Sequence, residues 1–139
     1  MKSLFPDICC DNLPKAKQFY MDLLGFTELV DIGWYVQLCS PLDENTQIAF
    51  VKRSHDSVPA DYQATPKGVV ITVEVEDADE IYKKATSSNI TLVKEITSEV
   101  WGQRHFMACD PNGLLLDVYH MIEPDANFLK EYGLTKFSS

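Results

Sequence analysis

The sequence lacks three features that would each indicate a particular class of protein. No apolar run is long enough to span a bilayer, and Met1-Lys2-Ser3-Leu4 leads into Phe5-Pro6-Asp7 rather than into an apolar signal segment. The four cysteines show no Cys-x-x-Cys spacing, which argues against a zinc or disulfide site. The sequence has only 12 basic residues and 21 acidic ones, so we expect no basic patch of the kind that nucleic acid requires. We therefore expect a cytoplasmic protein with reduced cysteines that binds neither membranes nor nucleic acid.

The composition is sufficient for one folded domain. With 139 residues, of which 45% are hydrophobic, the chain can bury about two-thirds of its unfolded surface. The net charge of −9 suits a cationic ligand, although solubility explains it equally well.

The predicted elements of the first half form the order β-α-β-β-β. Asp11-Asn12 is an N-cap signal for a helix that carries Pro14 in its first turn and ends at Gly25, and apolar residues inside it follow helical spacing. Strands are predicted before and after it, over residues 4–10, 26–31, 34–39 and 47–51.

The second half repeats this order. A strand over residues 69–75 precedes a helix that Glu76-Asp77 begins, and a strand over 91–94 and a hairpin follow. We predict an α+β fold in which two βαβββ modules form a cupped mixed sheet around a shared cleft. The predicted domain covers residues 1–123, with modules at 1–51 and 68–123 and a linker at 52–67, and a helix and tail follow at 124–139.

The predicted hairpin centres on Asp110-Pro111-Asn112-Gly113, whose proline and Asn-Gly pair favour a tight reversal. If Cys109 pairs with Leu114, alternation places five side chains on one face and turns His105 away from it. The five are Arg104, Phe106, Leu115, Asp117 and Tyr119.

Asp117 is the unusual member of that face, because an acid in an apolar strand costs stability unless it is paired. Two interpretations remain open. Asp117 is either a site residue or the partner of its diagonal neighbour Arg104 in a structural ion pair.

The whole pattern resembles the vicinal oxygen chelate superfamily, and within it the glyoxalase/bleomycin resistance branch. The resemblance lies in the tandem βαβββ order, in the helix signature from Leu13-Pro14 to Leu24-Gly25-Phe26, and in Trp101-Gly102 ahead of Asp110-Pro111-Asn112-Gly113. It covers residues 4–122. The same fold hosts glyoxalases, ring-cleaving dioxygenases, fosfomycin-modifying enzymes and proteins that only bind a drug.

The resemblance implies metal ligands near Phe5, Gln47, Val70 and Asp117. Phe5 and Val70 are hydrocarbon and cannot ligate, so at most two oxygen donors remain where a catalytic ion usually has three protein ligands. We therefore expect no metal cofactor. The alternative is a divalent metal held by a displaced set, which would be drawn from Asp7, Glu74, His105 and Asp117.

The resemblance also places an aromatic and acidic lining in the predicted cleft. Trp101 can stack on a planar ligand or be an ordinary half-buried tryptophan, and either Trp34 or Tyr35 can line the cleft. Glu74, inside an apolar strand, is a better anchor for a cation than Glu99, whose expected role is a solvated charge. The candidate ligand-binding residues are Trp101, Phe106, Asp117, Glu74, Arg104, Phe5 and Gln47.

Two functions remain open from the sequence. The favoured one is a metal-free protein that binds a small aromatic or cationic compound. The alternative is a metal-dependent lyase or dioxygenase-like enzyme, or one using acid–base chemistry by Glu74, His105 and Asp117, the candidate catalytic residues. In either case we expect a homodimer.

Overall fold

The computed structural model describes residues 1–137, and it divides the chain into two compact units. The first unit contains residues 1–69 together with Asp110–Leu114, and the second contains Val70–Cys109 and the chain from Leu115 onward. Each unit holds one mixed four-stranded sheet and is described by itself.

The first unit follows the order β-α-β-β-β. Its elements are β1 (Asp7–Cys10), α1 (Leu13–Leu24), β2 (Thr27–Asp31), β3 (Tyr35–Cys39) and β4 (Gln47–Lys52). The strand order is β1-β4-β3-β2, with β1 parallel to β4 and the other pairs antiparallel. The side chain of Asn12 accepts a hydrogen bond from the Lys15 N–H at the start of α1, and Gly25 ends the helix at φ 73°. The helix boundaries predicted from the sequence are therefore confirmed.

The core of the first unit lies between α1 and one face of this sheet. Tyr20 is fully buried there, with its ring against those of Phe19, Phe26 and Phe50. Further buried side chains come from the helix and from the strands, and they include Ile8, Cys10, Leu13, Ala16, Leu23, Val36, Leu38 and Ile48. Burial raises the pKa of the Cys10 thiol to about 11 and that of the Tyr20 phenol above its usual range.

A buried carboxylate is the most polar feature of this core. The Tyr20 Oη donates to Asp110 Oδ2 at 2.7 Å, and Asp110 Oδ1 accepts the N–H groups of Asn112 and Leu114, each at 2.8 Å. Asn112 Nδ2 also donates to Oδ2, at 3.3 Å, so four hydrogen bonds satisfy a side chain that would otherwise be a costly buried charge.

The second unit repeats the order and adds a helix. Its elements are β5 (Val70–Glu74), α2 (Ala78–Ser87), β6 (Leu92–Glu99), β7 (Gln103–Cys109), β8 (Leu115–Met121) and α3 (Ala126–Glu131). The strand order is β5-β8-β7-β6, with β5 parallel to β8. The Asp77 side chain caps α2, and α2 covers a core of Ala78, Ala85, Phe106, Ala108, Leu116 and Val118. The predicted α+β class and tandem βαβββ order are confirmed.

The hairpin register differs by one residue from the prediction. Cys109 pairs with Leu115, not with Leu114, because the Asp110 N–H bonds the Leu114 carbonyl at 3.0 Å and closes a three-residue loop. Gly113, at φ 88°, supplies the left-handed residue that three-residue hairpin loops require. Relative to the side chains of β8, this shift moves every side chain of β7 to the face opposite the predicted one.

The strand before the hairpin is also longer than expected. β6 continues to Glu99 instead of ending at Lys94, and it contains two irregularities in its pairing with β7. Glu99 therefore belongs to the sheet and lies opposite Gln103.

We predict that Tyr20→Phe destabilises the protein by ~1–3 kcal/mol, because it leaves the buried Asp110 carboxylate short of one donor. Urea unfolding at neutral pH measures the change. Tyr82→Phe is the matched control, because Tyr82 also packs its ring in a helix–sheet core. Equal unfolding midpoints for the two variants would show that the Tyr20–Asp110 bond contributes nothing.

Candidate functional site

The face of the second sheet that points away from α2 carries the candidate site. We call it the Asp117 face. The pairing of β5, β8 and β7 places one set of side chains on it: Thr72, Glu74, Gln103, His105, Met107, Asp117 and Tyr119.

Three of the titratable side chains at this face form a continuous hydrogen-bonded chain. Asp117 Oδ1 lies 2.8 Å from His105 Nδ1, and His105 Nε2 lies 2.8 Å from Glu99 Oε2. The imidazole is almost fully buried, whereas the Asp117 and Glu99 side chains keep 13% and 20% of their exposure. The two acids therefore form the solvent-accessible ends of the chain.

The proton count of this chain is unusual. A neutral imidazole carries one N–H and can donate to only one of the two carboxylates, so the second hydrogen bond requires a further proton. The bond from His105 holds the pKa of Glu99 below its usual range, with a further contribution from Lys94, whose Nζ lies 3.6 Å from the carboxylate. The remaining lone pairs of the two carboxylates can accept further donors from solvent or from a ligand.

Trp101 lies beside this chain. Its ring meets that of His105 edge-on with 6.1 Å between centroids, and its Nε1 donates to Gln103 Oε1 at 2.9 Å. The next residue, Gly102, has φ 100°, and a Cβ there would lie 3.0 Å from the Ile122 carbonyl oxygen and from Pro124 Cβ. Only glycine therefore permits the turn that positions Trp101.

Glu74 and Glu99 exchange the roles expected from the sequence. Glu74 lies on the Asp117 face opposite Tyr119 and is exposed. Glu99, which we expected to be a solvated charge, is hydrogen-bonded to His105. The expectation that His105 faces away from Asp117 is likewise wrong, and both errors follow from the extent and register of β6 and β7.

Arg104 and Phe106 lie on the opposite face of the sheet. Arg104 holds Asp79 through two nitrogen–oxygen contacts of 2.8 Å, so the proposed ion pair with Asp117 is wrong. Phe106 is fully buried, with its ring 5.2 Å from that of Tyr82 in α2. Neither residue shares a face with Asp117, and we omit both from the candidate ligand site.

The residues at the metal positions implied by the family do not fit a catalytic ion. Phe5 precedes β1 and Val70 is half exposed in β5, and both are hydrocarbon. The Gln47 amide accepts from Gln37 Nε2 at 2.5 Å and donates to the Glu44 carbonyl at 2.7 Å, while Asp117 bonds His105. We derive no step that uses a metal.

One group of possible ligand atoms lies elsewhere in the second unit. Within residues 1–137, Asp77, Asp79 and His120 are the one set of three or more acidic, histidine or cysteine residues brought within 4.8 Å of one another. Asp77 caps α2, Arg104 holds both oxygens of Asp79, and His120 Nδ1 accepts the Ala78 N–H at 2.8 Å. These bonds engage the group. Of the displaced set predicted from Asp7, Glu74, His105 and Asp117, the three members that lie in the second unit are not gathered in this way.

The remaining aromatic candidates lie in the first unit. The Trp34 ring stacks directly on His55, with centroids 3.7 Å apart. The Tyr35 ring centroid lies 6.1 Å from that of Trp34, and the Tyr35 hydroxyl donates to Gln37 Oε1 at 2.8 Å. Asp7 is exposed, although partial burial raises the pKa of its carboxyl. All four cysteines are free thiols.

The chain was compared with known proteins by sequence and by structure. The family model described as the Glyoxalase/Bleomycin resistance protein/Dioxygenase superfamily matches residues 4–118. A protein of that superfamily from Sphaerobacter thermophilus DSM 20745 has 26% identity and a TM-score of 0.68, over 86% of this chain and 97% of its own. A family enzyme from Burkholderia phytofirmans PsJN shares the fold at 14% identity, with a TM-score of 0.72 over 85% and 97% of the two chains.

The match covers most of the sequence, and the tandem βαβββ order agrees with it. The chain belongs to the glyoxalase/bleomycin resistance/dioxygenase superfamily. No protein of curated function matches it. No helix among the described residues is long and apolar enough to cross a membrane.

We predict that Glu99→Gln makes the free energy of unfolding depend less on pH in the acidic range. Because folding lowers the pKa of Glu99, its stabilising effect is full above the ordinary value of 4.5 and is lost as the pH falls through the lower folded value. Urea midpoints between neutral pH and pH ~3 measure this loss.

The control is Glu95→Gln, at an exposed position of the same strand. It should leave the profile unchanged. If Glu99→Gln and Glu95→Gln give the same pH dependence, the bond to His105 does not stabilise the fold.

Proposed function

We propose that the Asp117 face binds a small organic cation that carries a planar aromatic group, and that it does so without a metal. The observation that carries this proposal is the Asp117–His105–Glu99 chain, in which two carboxylates share one imidazole beside the ring of Trp101. An aromatic platform next to an acidic anchor is a common means of holding a cationic aromatic compound.

Charge supports a cationic ligand over an anionic one. Glu74 lies on the same face and is exposed, so three carboxylates are present there with one imidazole and the half-exposed Lys94 ammonium. Arg104, the other cation of these strands, points to the opposite face and is committed to Asp79. Because the whole chain carries a net charge of −9, the wider field attracts cations as well.

The donor chemistry supports binding without a metal. Two of the four positions implied by the family have no lone pair, and the other two side chains already hold hydrogen bonds within their own sheets. A lyase or dioxygenase that relies on the inherited ligands is therefore the less supported function.

We further propose that the protein is a cytoplasmic homodimer. The edge strand β5 exposes Val70, with Val69 just before it, at 48% and 46% of their side-chain areas. Exposed apolar residues on an edge strand favour pairing with a second chain. Light scattering at micromolar concentration should give a dimer mass, and a monomer would refute this part.

We predict that Trp101→Ala weakens binding of 9-aminoacridine, a planar cation, by about two- to tenfold through lost stacking. Asp117→Asn should weaken it by about ten- to a hundredfold, because a charge-assisted hydrogen bond is lost. Fluorescence titration measures both, and bleomycin-type glycopeptides extend the set of ligands.

Two controls separate binding from folding. Uncharged acridine should respond to Trp101→Ala but hardly to Asp117→Asn. Asp79→Asn changes a carboxylate on the opposite face and should leave both affinities unchanged. If no compound binds, and Asp117→Asn only lowers the unfolding temperature, the Asp117–His105–Glu99 hydrogen bonds serve only to stabilise the fold and the binding proposal is wrong.

We predict that the purified protein, dialysed against a weak chelator, contains far less than one metal ion per chain. Elemental analysis for zinc, nickel and iron measures this content. One ion per chain would favour the lyase or dioxygenase function. Replacing Phe5 and Val70 by histidine then tests whether the inherited positions can bind metal at all.

A further inference from the structure

The segment after β8 covers one side of Trp101. We call residues 124–137, which include α3, the α3 segment. Phe128 and Phe137 of this segment place their ring centroids 6.4 and 6.3 Å from that of Trp101, and 5.9 Å from each other. The ring that we propose as the ligand platform is therefore already in contact with two rings of its own chain.

This cover is loose. Both rings are tilted by about 50° to the indole, at 49° and 48°, and their separations lie at the long end of the range for aromatic pairs. The other tryptophan shows what a tight contact looks like, since Trp34 stacks parallel on His55 at 3.7 Å. Phe137 also keeps 45% of its area exposed and Tyr132 keeps 61%. Packing of the segment therefore buries little apolar surface to offset the conformational entropy lost when these rings are ordered.

The backbone of the α3 segment is anchored at its beginning. The Asp125 N–H bonds the Val100 carbonyl at 2.8 Å. Beyond it, among residues 126–137, the backbone hydrogen bonds stay within the segment, as from Leu129 to Asp125 and from Leu134 to Leu129. The part that carries Phe128 and Phe137 can therefore move as one piece about Asp125.

We infer that the α3 segment is a displaceable cover, and that an aromatic ring of the ligand takes the place of Phe137 on Trp101. A planar ring that stacks in parallel makes closer contact with the indole than the tilted phenylalanines do. His105 adjoins the same indole and bonds Glu99, so a positive group attached to that ring lies near the acidic chain. This inference rests on the proposed function and narrows its ligand to a flat ring with an adjacent cation.

Acrylamide quenching tests the cover without any ligand. A Trp34→Phe background leaves Trp101 as the single tryptophan of the protein. In that background Phe137→Ala should raise the quenching constant and shift the emission to longer wavelength. Tyr62→Ala removes a more exposed aromatic ring outside the segment and is the control. Unchanged quenching in Phe137→Ala would overturn the cover.

Displacement is tested with 9-aminoacridine. Phe137→Ala should bind it about two- to tenfold more tightly than the parent, because no ring must be moved. Hydrogen exchange of residues 126–134 should become faster when the dye binds. Protection of these amides, or weaker binding by Phe137→Ala, would show that the segment closes on the ligand and would overturn displacement.

The two tests also separate this inference from the proposed function. If the dye binds neither protein, the proposed function fails and displacement fails with it, whereas the quenching result still decides whether residues 124–137 cover Trp101. If the dye binds tightly and exchange in 126–134 is unchanged, the function stands and the displacement is wrong.

Discussion

The turn at Asp110 is the constraint on which the candidate site depends. One carboxylate oxygen accepts the N–H groups of Asn112 and Leu114, and the other accepts the Tyr20 hydroxyl. These bonds fix a three-residue loop, and the loop fixes which residues of β7 and β8 are opposite each other. A slip of one residue would turn His105 away from Asp117. The buried, satisfied Asp110 thus sets the register on which the chemistry of the Asp117 face depends.

The same register explains why Asp117 is tolerated in an apolar strand. Its neighbours Leu116 and Val118 point into the α2 core, whereas Asp117 points to the other face and meets an imidazole at 2.8 Å. The desolvation of His105 is in turn offset by Glu99, which retains contact with solvent. Each of these three hydrogen-bonded side chains can be buried at low cost only because its neighbour satisfies it. Changing one of them therefore leaves an unpaired polar group, which costs more than the loss of one hydrogen bond.

Much of the fold could be predicted from local signals. Asn12 and Gly25 delimit α1 by capping and by a positive φ, and strand alternation gave the tandem order. The site could not be predicted in the same way, because it depends on a count of one residue in a loop. Asp110-Pro111-Asn112-Gly113 fits loops of three or four residues, and only the Asp110–Leu114 backbone bond distinguishes them. Glu99 was missed for a related reason, since the irregular pairing of β6 hides its alternation. The two loop lengths leave two faces open for His105, and only the loop of three residues places it beside Asp117.

The bond between Asp117 and His105 also bears on what this member of the superfamily can do. A carboxylate at that position of the last strand can ligate an ion or accept a hydrogen bond from an imidazole N–H. With hydrocarbon at Phe5 and Val70, the polar partner of Asp117 is the His105 imidazole, which β7 supplies at 2.8 Å. The Asp117 side chain keeps 13% of its area exposed, so its carboxylate can accept a second donor from an incoming molecule, and the proposed binding of a cation rests on this geometry.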